Sequence, residues 1–160
     1  MFPMFVDIAE FETTIDRQTL VDDRERVQLQ NRLLASFEAE PLEDGMDHPA
    51  EQIIRNELEN SENQNVLDLF RAFSLDVAHP SSAASVLRCL GRQAHLGTIS
   101  WRTGLVRDAL RLSDVEIRDA AIQATELWGY DEMRSVLQEH SEPELWLRDY
   151  ISDVLADLGD

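Results

Sequence analysis

His48, His79, His95 and His140 are the side chains of this 160-residue chain best suited to metal ligation or proton transfer, and their spacing serves neither. No two stand at the i, i+4 interval that would aim both rings at one ion from a helix, and Cys89 is the sole cysteine. His48 and His79 each precede a proline, where a histidine caps or turns the chain at a helix start. With 32 acids, carboxylate pairs arise at every spacing by number alone, so none designates a general acid or base. All 14 bases are arginine. The absence of lysine removes the Walker-type phosphate loop, the Schiff-base lysine and the Ser-x-x-Lys nucleophile. No nucleophile elbow, glycine-rich phosphate loop or calcium loop occurs. The expectation is a non-enzymatic protein with no catalytic residue, metal or cofactor.

Charge is the more informative chemistry. The net charge is −18, yet no acid lies between Asp76 and Asp108, a window that holds Arg88, Arg92, Arg102 and Arg107. Arg88, Arg92 and His95 fall at helical spacing. These arginines either bridge to acids on neighbouring helices or form an anion or acidic-partner site, for which Arg88, Arg92 and Arg102 are the candidates. The remaining surface is strongly acidic. It would repel a phosphate backbone, so direct nucleic-acid binding is not expected, and it would steer a basic protein toward contact.

The elements that carry these residues announce themselves by repetition. Asp114-Val115-Glu116-Ile117-Arg118-Asp119-Ala120-Ala121 runs on to Gly129, and Glu144-Leu145-Trp146-Leu147-Arg148-Asp149-Tyr150-Ile151 runs on to Gly159. In both copies an acid stands four residues before the arginine and a glycine eleven after it. A helical unit unable to bury its apolar stripe alone is stacked on a copy of itself. Elsewhere the apolar period is that of helices. The spacing predicts helices over 14–40, 49–60, about 64–77, 80–95, 100–112, 114–128, 132–140 and 143–158, with no strand. Residues 1–13 form an apolar lead whose Phe2, Phe5 and Phe11 are expected to dock on the body. It lacks a basic start, and no run is long enough to span a membrane, which points to a cytoplasmic protein. The whole chain, 1–160, reads as a single all-α domain, irregular over 1–60.

The shared Asp114, Ile117-Arg118, Ala120-Ala121 and Gly129, answered by Leu147-Arg148 and Gly159, resemble the HEAT-like helical repeat family over residues 62–159. Val106-Arg107-Asp108-Ala109 echoes the words out of phase, and Tyr150-Ile151 departs from the usual small pair. The resemblance implies an α-solenoid of stacked helix pairs and a protein-binding habit, with Arg118 and Arg148 as polar links between units.

At about 100° per residue, Ile117, Ala120, Ala121, Ala124, Leu127 and Trp128 share one side of the 114–128 helix, and Glu116, Asp119, Gln123 and Glu126 the other. The last helix carries Asp149, Asp153, Asp157 and Asp160 at four-residue steps. Like charges at that spacing cost an isolated helix about 0.2–0.5 kcal/mol per pair, so helix stability does not explain them. Trp146, Asp149, Asp153, Asp157, Glu116 and Asp119 are therefore the candidate partner-binding residues. In composition the chain is similar to acidic immunity proteins that neutralise basic toxin domains, nucleases among them. The other readings are a scaffold adaptor using its concave surface and the arginine group, and an enzyme whose site leaves no motif.

Overall fold

Proline and glycine supply most of the punctuation that separates the helices. The computed structural model describes residues 23–60, 66–94 and 96–158, and among them there are eight helices and no strand. The first, α1, covers 23–39 and stops before Pro41. It is followed by α2 (Pro49–Asn60), α3 (Val66–Ser74), α4 (Pro80–Gly91), α5 (Ile99–Leu110), α6 (Val115–Trp128), α7 (Met133–Glu139) and α8 (Leu145–Leu158). The expected docking of Phe2, Phe5 and Phe11 lies outside the described residues, as do His95 and Asp160. None of the described helices is long and apolar enough to cross a membrane.

Local chemistry sets the helix ends. Asp114 accepts the Ile117 N–H at 3.0 Å to cap α6, and Gly129, at φ +65°, closes it by donating to the Thr125 carbonyl. His48 does the work of an N-cap for α2: Nδ1 accepts the Ala50 N–H at 3.0 Å, leaving Nε2 to donate to the Glu40 carbonyl at 2.9 Å. Glu51 completes the cap by accepting the His48 N–H at 2.7 Å. His79 precedes α4 without capping it; its Nδ1 lies 2.9 Å from Asp76 Oδ2 in the preceding turn.

Helix α4 ends at Gly91, short of the expected 95, because tertiary bonds claim the following carbonyls. Trp128 Nε1 donates to Gln93, the Tyr130 hydroxyl to Ala94, and Arg102 to Leu96 and Gly97. Helix α5 likewise ends before residue 112, where Leu112 and Ser113 turn their carbonyls to Arg118.

Consecutive helices pack as α3 on α4, α5 on α6 and α7 on α8, while α4 lies on α6, α6 on α8 and α5 on α7. The α4–α6 packing is the most extensive. Its closeness follows from small side chains: Ala120, Ala121 and Ala124 are fully buried, and a Cβ on Gly91 would stand 2.7 Å from the Ala124 Cα. Phe70, Leu87, Leu90, Leu105, Ile117, Ile122 and Leu147 fill the core around them. Gly91→Ala is therefore expected to lower stability by about 1–2 kcal/mol, although alanine is the better helix former, since the obstructing atom is backbone. Urea unfolding measures it; an unchanged or raised midpoint would show that the two helices can part at no cost.

Leu127 corrects one inward assignment. It is 58% exposed, lying at the edge of the α6 arc that carries Glu116 and Gln123. Helix α3 ends at Ser74, short of the expected 77, and Val77 is exposed in the turn that follows.

Candidate partner-binding surface

Arginines hold the turns that aim the helices. Arg102, Arg118 and Arg148 each stand four residues after the residue whose carbonyl accepts their own N–H: Thr98, Asp114 and Glu144. From that position each side chain reaches back to a carbonyl six residues earlier: Leu96, Leu112 and Glu142. The device recurs three times. Sequence comparison finds only the second and third copies, because Thr98 stands where they have an acid. Arg102, rather than Arg107, thus makes the contacts that Arg118 makes.

Glu142, which the sequence did not single out, joins two of these arginines. Its carboxylate accepts Arg118 Nε at 2.9 Å and Nη2 at 3.1 Å, lies 2.9 Å from His140 Nε2, and accepts the Glu144 N–H at 2.9 Å. Its carbonyl accepts Nε and Nη2 of Arg148. Burial alone would raise the Glu142 carboxyl, but the hydrogen bonds from Arg118, His140 and Glu144, with the Arg118 charge, hold it down to about 2. The residue fixes the turn from which α8 departs. Its only signal in the sequence is an acid just before Pro143.

The other candidate arginines are also engaged within the chain. Arg88 Nε donates to Gln123 at 2.9 Å, Nη2 lies 3.4 Å from Asp119, and Nη1 3.7 Å from Glu116. Arg92 donates to the Met46 and Glu43 carbonyls and pairs with Glu51 at 3.2 Å, tying the turn before α2 onto α4. Arg102 is buried with its guanidinium 4.4 Å from the centre of the Tyr130 ring and 6.0 Å from that of Trp128. Of the two roles open to this group, the contacts seen are those of bridges and clasps.

The acids divide into two sets. Glu116 and Asp119 on α6 face Arg88, whereas Asp149, Asp153 and Asp157 on α8 are exposed and meet no cation among the described residues. Trp146, half exposed, and Leu145, more so, stand in the first turn of the same helix. Tyr150 lies between the sets. Burial raises its phenol, and the Glu126 carboxylate adds to the rise together with Asp119 and Asp44. The neutral Tyr150 phenol on α8 therefore stands within reach of carboxylates from α6 and from the turn before α2.

The ionised form of Asp119 is disfavoured chiefly by burial. Burial raises its carboxyl, Arg88 opposes the rise, and Asp44 adds to it. An acid raised in the folded state favours folding while protonated; the advantage fades as pH climbs through the carboxylate range and is a penalty at neutral pH. Asp119→Asn is expected to stabilise the protein by up to about 1 kcal/mol at neutral pH and by nothing at low pH, as read by thermal unfolding. A neutral-pH loss would mean that the Arg88 pairing outweighs burial.

Cys89 is a buried free thiol: burial pushes it up to about 12, and Glu51 adds to the rise. No group of three or more metal-ligating side chains occurs among the described residues. No protein-family model, curated protein or solved structure matches the chain, so the reading of this surface rests on its own residues.

Proposed function

We propose that the chain is a non-enzymatic binding protein of the cytoplasm that captures a basic protein on the acidic face of α8, as immunity proteins do when they neutralise toxin domains. A nuclease domain is the partner whose phosphate-binding groove such a face would fill. The observation that carries the reading is the unequal disposition of charge. The arginines of the 77–107 window other than Arg107 are held by internal contacts, while Asp149, Asp153 and Asp157 remain exposed, without a cation among the described residues, on the helix that carries Trp146. Uncompensated surface carboxylates speed the encounter with a cationic partner, and an exposed tryptophan supplies contact area at the centre of an interface. The scaffold we infer is a HEAT-like solenoid. In its favour are the pairing of α3 with α4, α5 with α6 and α7 with α8, the contact of α4, α6 and α8 in succession, and the thrice-used arginine clasp. An adaptor built on Arg88, Arg92 and Arg102 would first have to break their internal bonds.

Affinity capture from the native host identifies the partner, and salt titration then tests the face. Replacing Asp149, Asp153 and Asp157 together by asparagine is expected to weaken binding at least about 10-fold at low salt and to flatten its salt dependence. A partner bound with the same affinity and the same salt slope by this variant rejects the α8 face.

A further inference from the structure

A cavity lies apart from α8, against α1 and α4. It measures about 540 Å³ and runs between α1, the Pro41-Leu42 turn and the first turns of α4. Leu34, Phe37, Leu42 and Pro80 give it apolar walls, and Ser82 and Ser85 a hydroxylated one. Its size falls within the range of binding clefts, about 300–1,000 Å³. Leu34, Phe37 and Leu42 are only partly buried, so the described residues leave apolar surface there in a chain of net charge −18.

The surroundings are negative. Glu38 lines the cleft, Asp76 lies against the lining His79, and Asp44 is in the turn after Leu42. Arg88 also lines it, but its guanidinium is shared by Glu116, Asp119 and Gln123, so it brings with it two further carboxylates. Glu38 is the one acid in the lining, but Asp76 on His79, Asp44 two residues past Leu42 and the Glu116–Asp119 pair on Arg88 leave more carboxylates than guanidinium groups about it, which suits an apolar side chain flanked by cations.

We propose that this cleft is an anchor site for the basic partner, taking one aromatic or large aliphatic side chain from a segment whose neighbouring lysines or arginines face Glu38, Asp44 and the Glu116–Asp119 pair. The inference rests on the basic-partner reading and adds where, and by what side chain, the partner is held. Such an anchor gives the contact energy, while the flanking charges give rate and register.

The probe is a capped, fluorescent pentapeptide, Lys-Arg-Phe-Arg-Lys, compared with its Lys-Arg-Ala-Arg-Lys analogue on the full chain by anisotropy at low salt. The phenylalanine peptide is expected to bind about 10-fold more tightly. Ser82→Trp, which fills the cleft, is expected to abolish that ratio while leaving the alanine peptide's affinity and the circular dichroism unchanged. The Asp149, Asp153 and Asp157 asparagine variant should keep the ratio. A ratio near one on the wild-type chain, with both peptides bound in a salt-sensitive manner, overturns the anchor and leaves the basic-partner reading standing. Failure of both peptides to bind overturns both. A tenfold gain in affinity for the phenylalanine peptide on replacing Phe2 and Phe5 by serine would assign the cleft to the chain's own first residues. A ratio that vanishes as protein concentration rises would assign it to a second copy. Either result overturns the anchor.

Discussion

Arg118→Met is expected to lower stability by about 3–5 kcal/mol, the range for removing one partner of a buried ion pair. Arg118 is 5% exposed and the Glu142 side chain 1%, so methionine would fill much of the arginine's volume yet leave a carboxylate in the core with only His140 and the Glu144 N–H. The carbonyls of Leu112 and Ser113 would lose their donor as well. Urea unfolding at neutral pH measures the effect. Glu142→Gln, which keeps the shape and removes the charge, separates charge from packing and should eliminate an acid-dependent part of the stability. The carboxyl has an ordinary value of 4.5 and is held at about 2 in the folded protein. Its contribution, about 3 kcal/mol, is therefore complete above pH 4.5 and is lost as pH falls toward 2. The wild type should lose that amount over this interval beyond whatever Glu142→Gln loses. Parallel acid limbs would show that Glu142 ionises alike in the folded and unfolded chain.

Arg102→Leu is expected to cost about 2–4 kcal/mol, less than Arg118→Met because no buried carboxylate is stranded. The loss falls on the 92–97 turn, where Arg102 holds the Leu96 and Gly97 carbonyls and lies over Tyr130, whose hydroxyl holds Ala94. Its Nε is buried with no acceptor among the described residues, a cost that offsets part of the gain. Arg102→Lys should recover little of the loss, since a point charge cannot both reach the two carbonyls and lie flat on the ring. Arg148→Ala, at the exposed third position, should cost no more than about 1 kcal/mol. Unfolding free energies that ranked these arginines in another order would contradict the burial-based account of the clasp.

These arginines also show how far sequence reading reaches. The start of α6 near Asp114 and its end at Gly129 are legible, because capping and left-handed glycine are chemistry within a few residues of the helix end. Gly91 was harder: its meaning lies in Ala124, 33 positions away, and no local pattern states that α4 and α6 approach so closely. Arg102 was placed with a binding patch because its charge was legible and its burial was not. Glu116 and Asp119 stood with the aspartates of α8 because periodicity assigns a face but cannot say that a neighbouring helix brings Arg88 to it. Glu142 had no periodic signal at all.

The sequence by itself determined an all-helical chain, most of its helix ends, the repeated arginine unit and the excess of negative charge. Each of these depends on residue type and on spacing within a turn or two, where backbone geometry fixes which groups meet. The tertiary structure alone decided which charges are spent and which are free. Pairing depends on which helices lie side by side, and burial turns a charge from a solvated label into part of the scaffold. Among the described residues it left the α8 aspartates without a cation, committed Arg88, Arg92 and Arg102 to internal contacts, and formed the apolar cleft between α1 and α4.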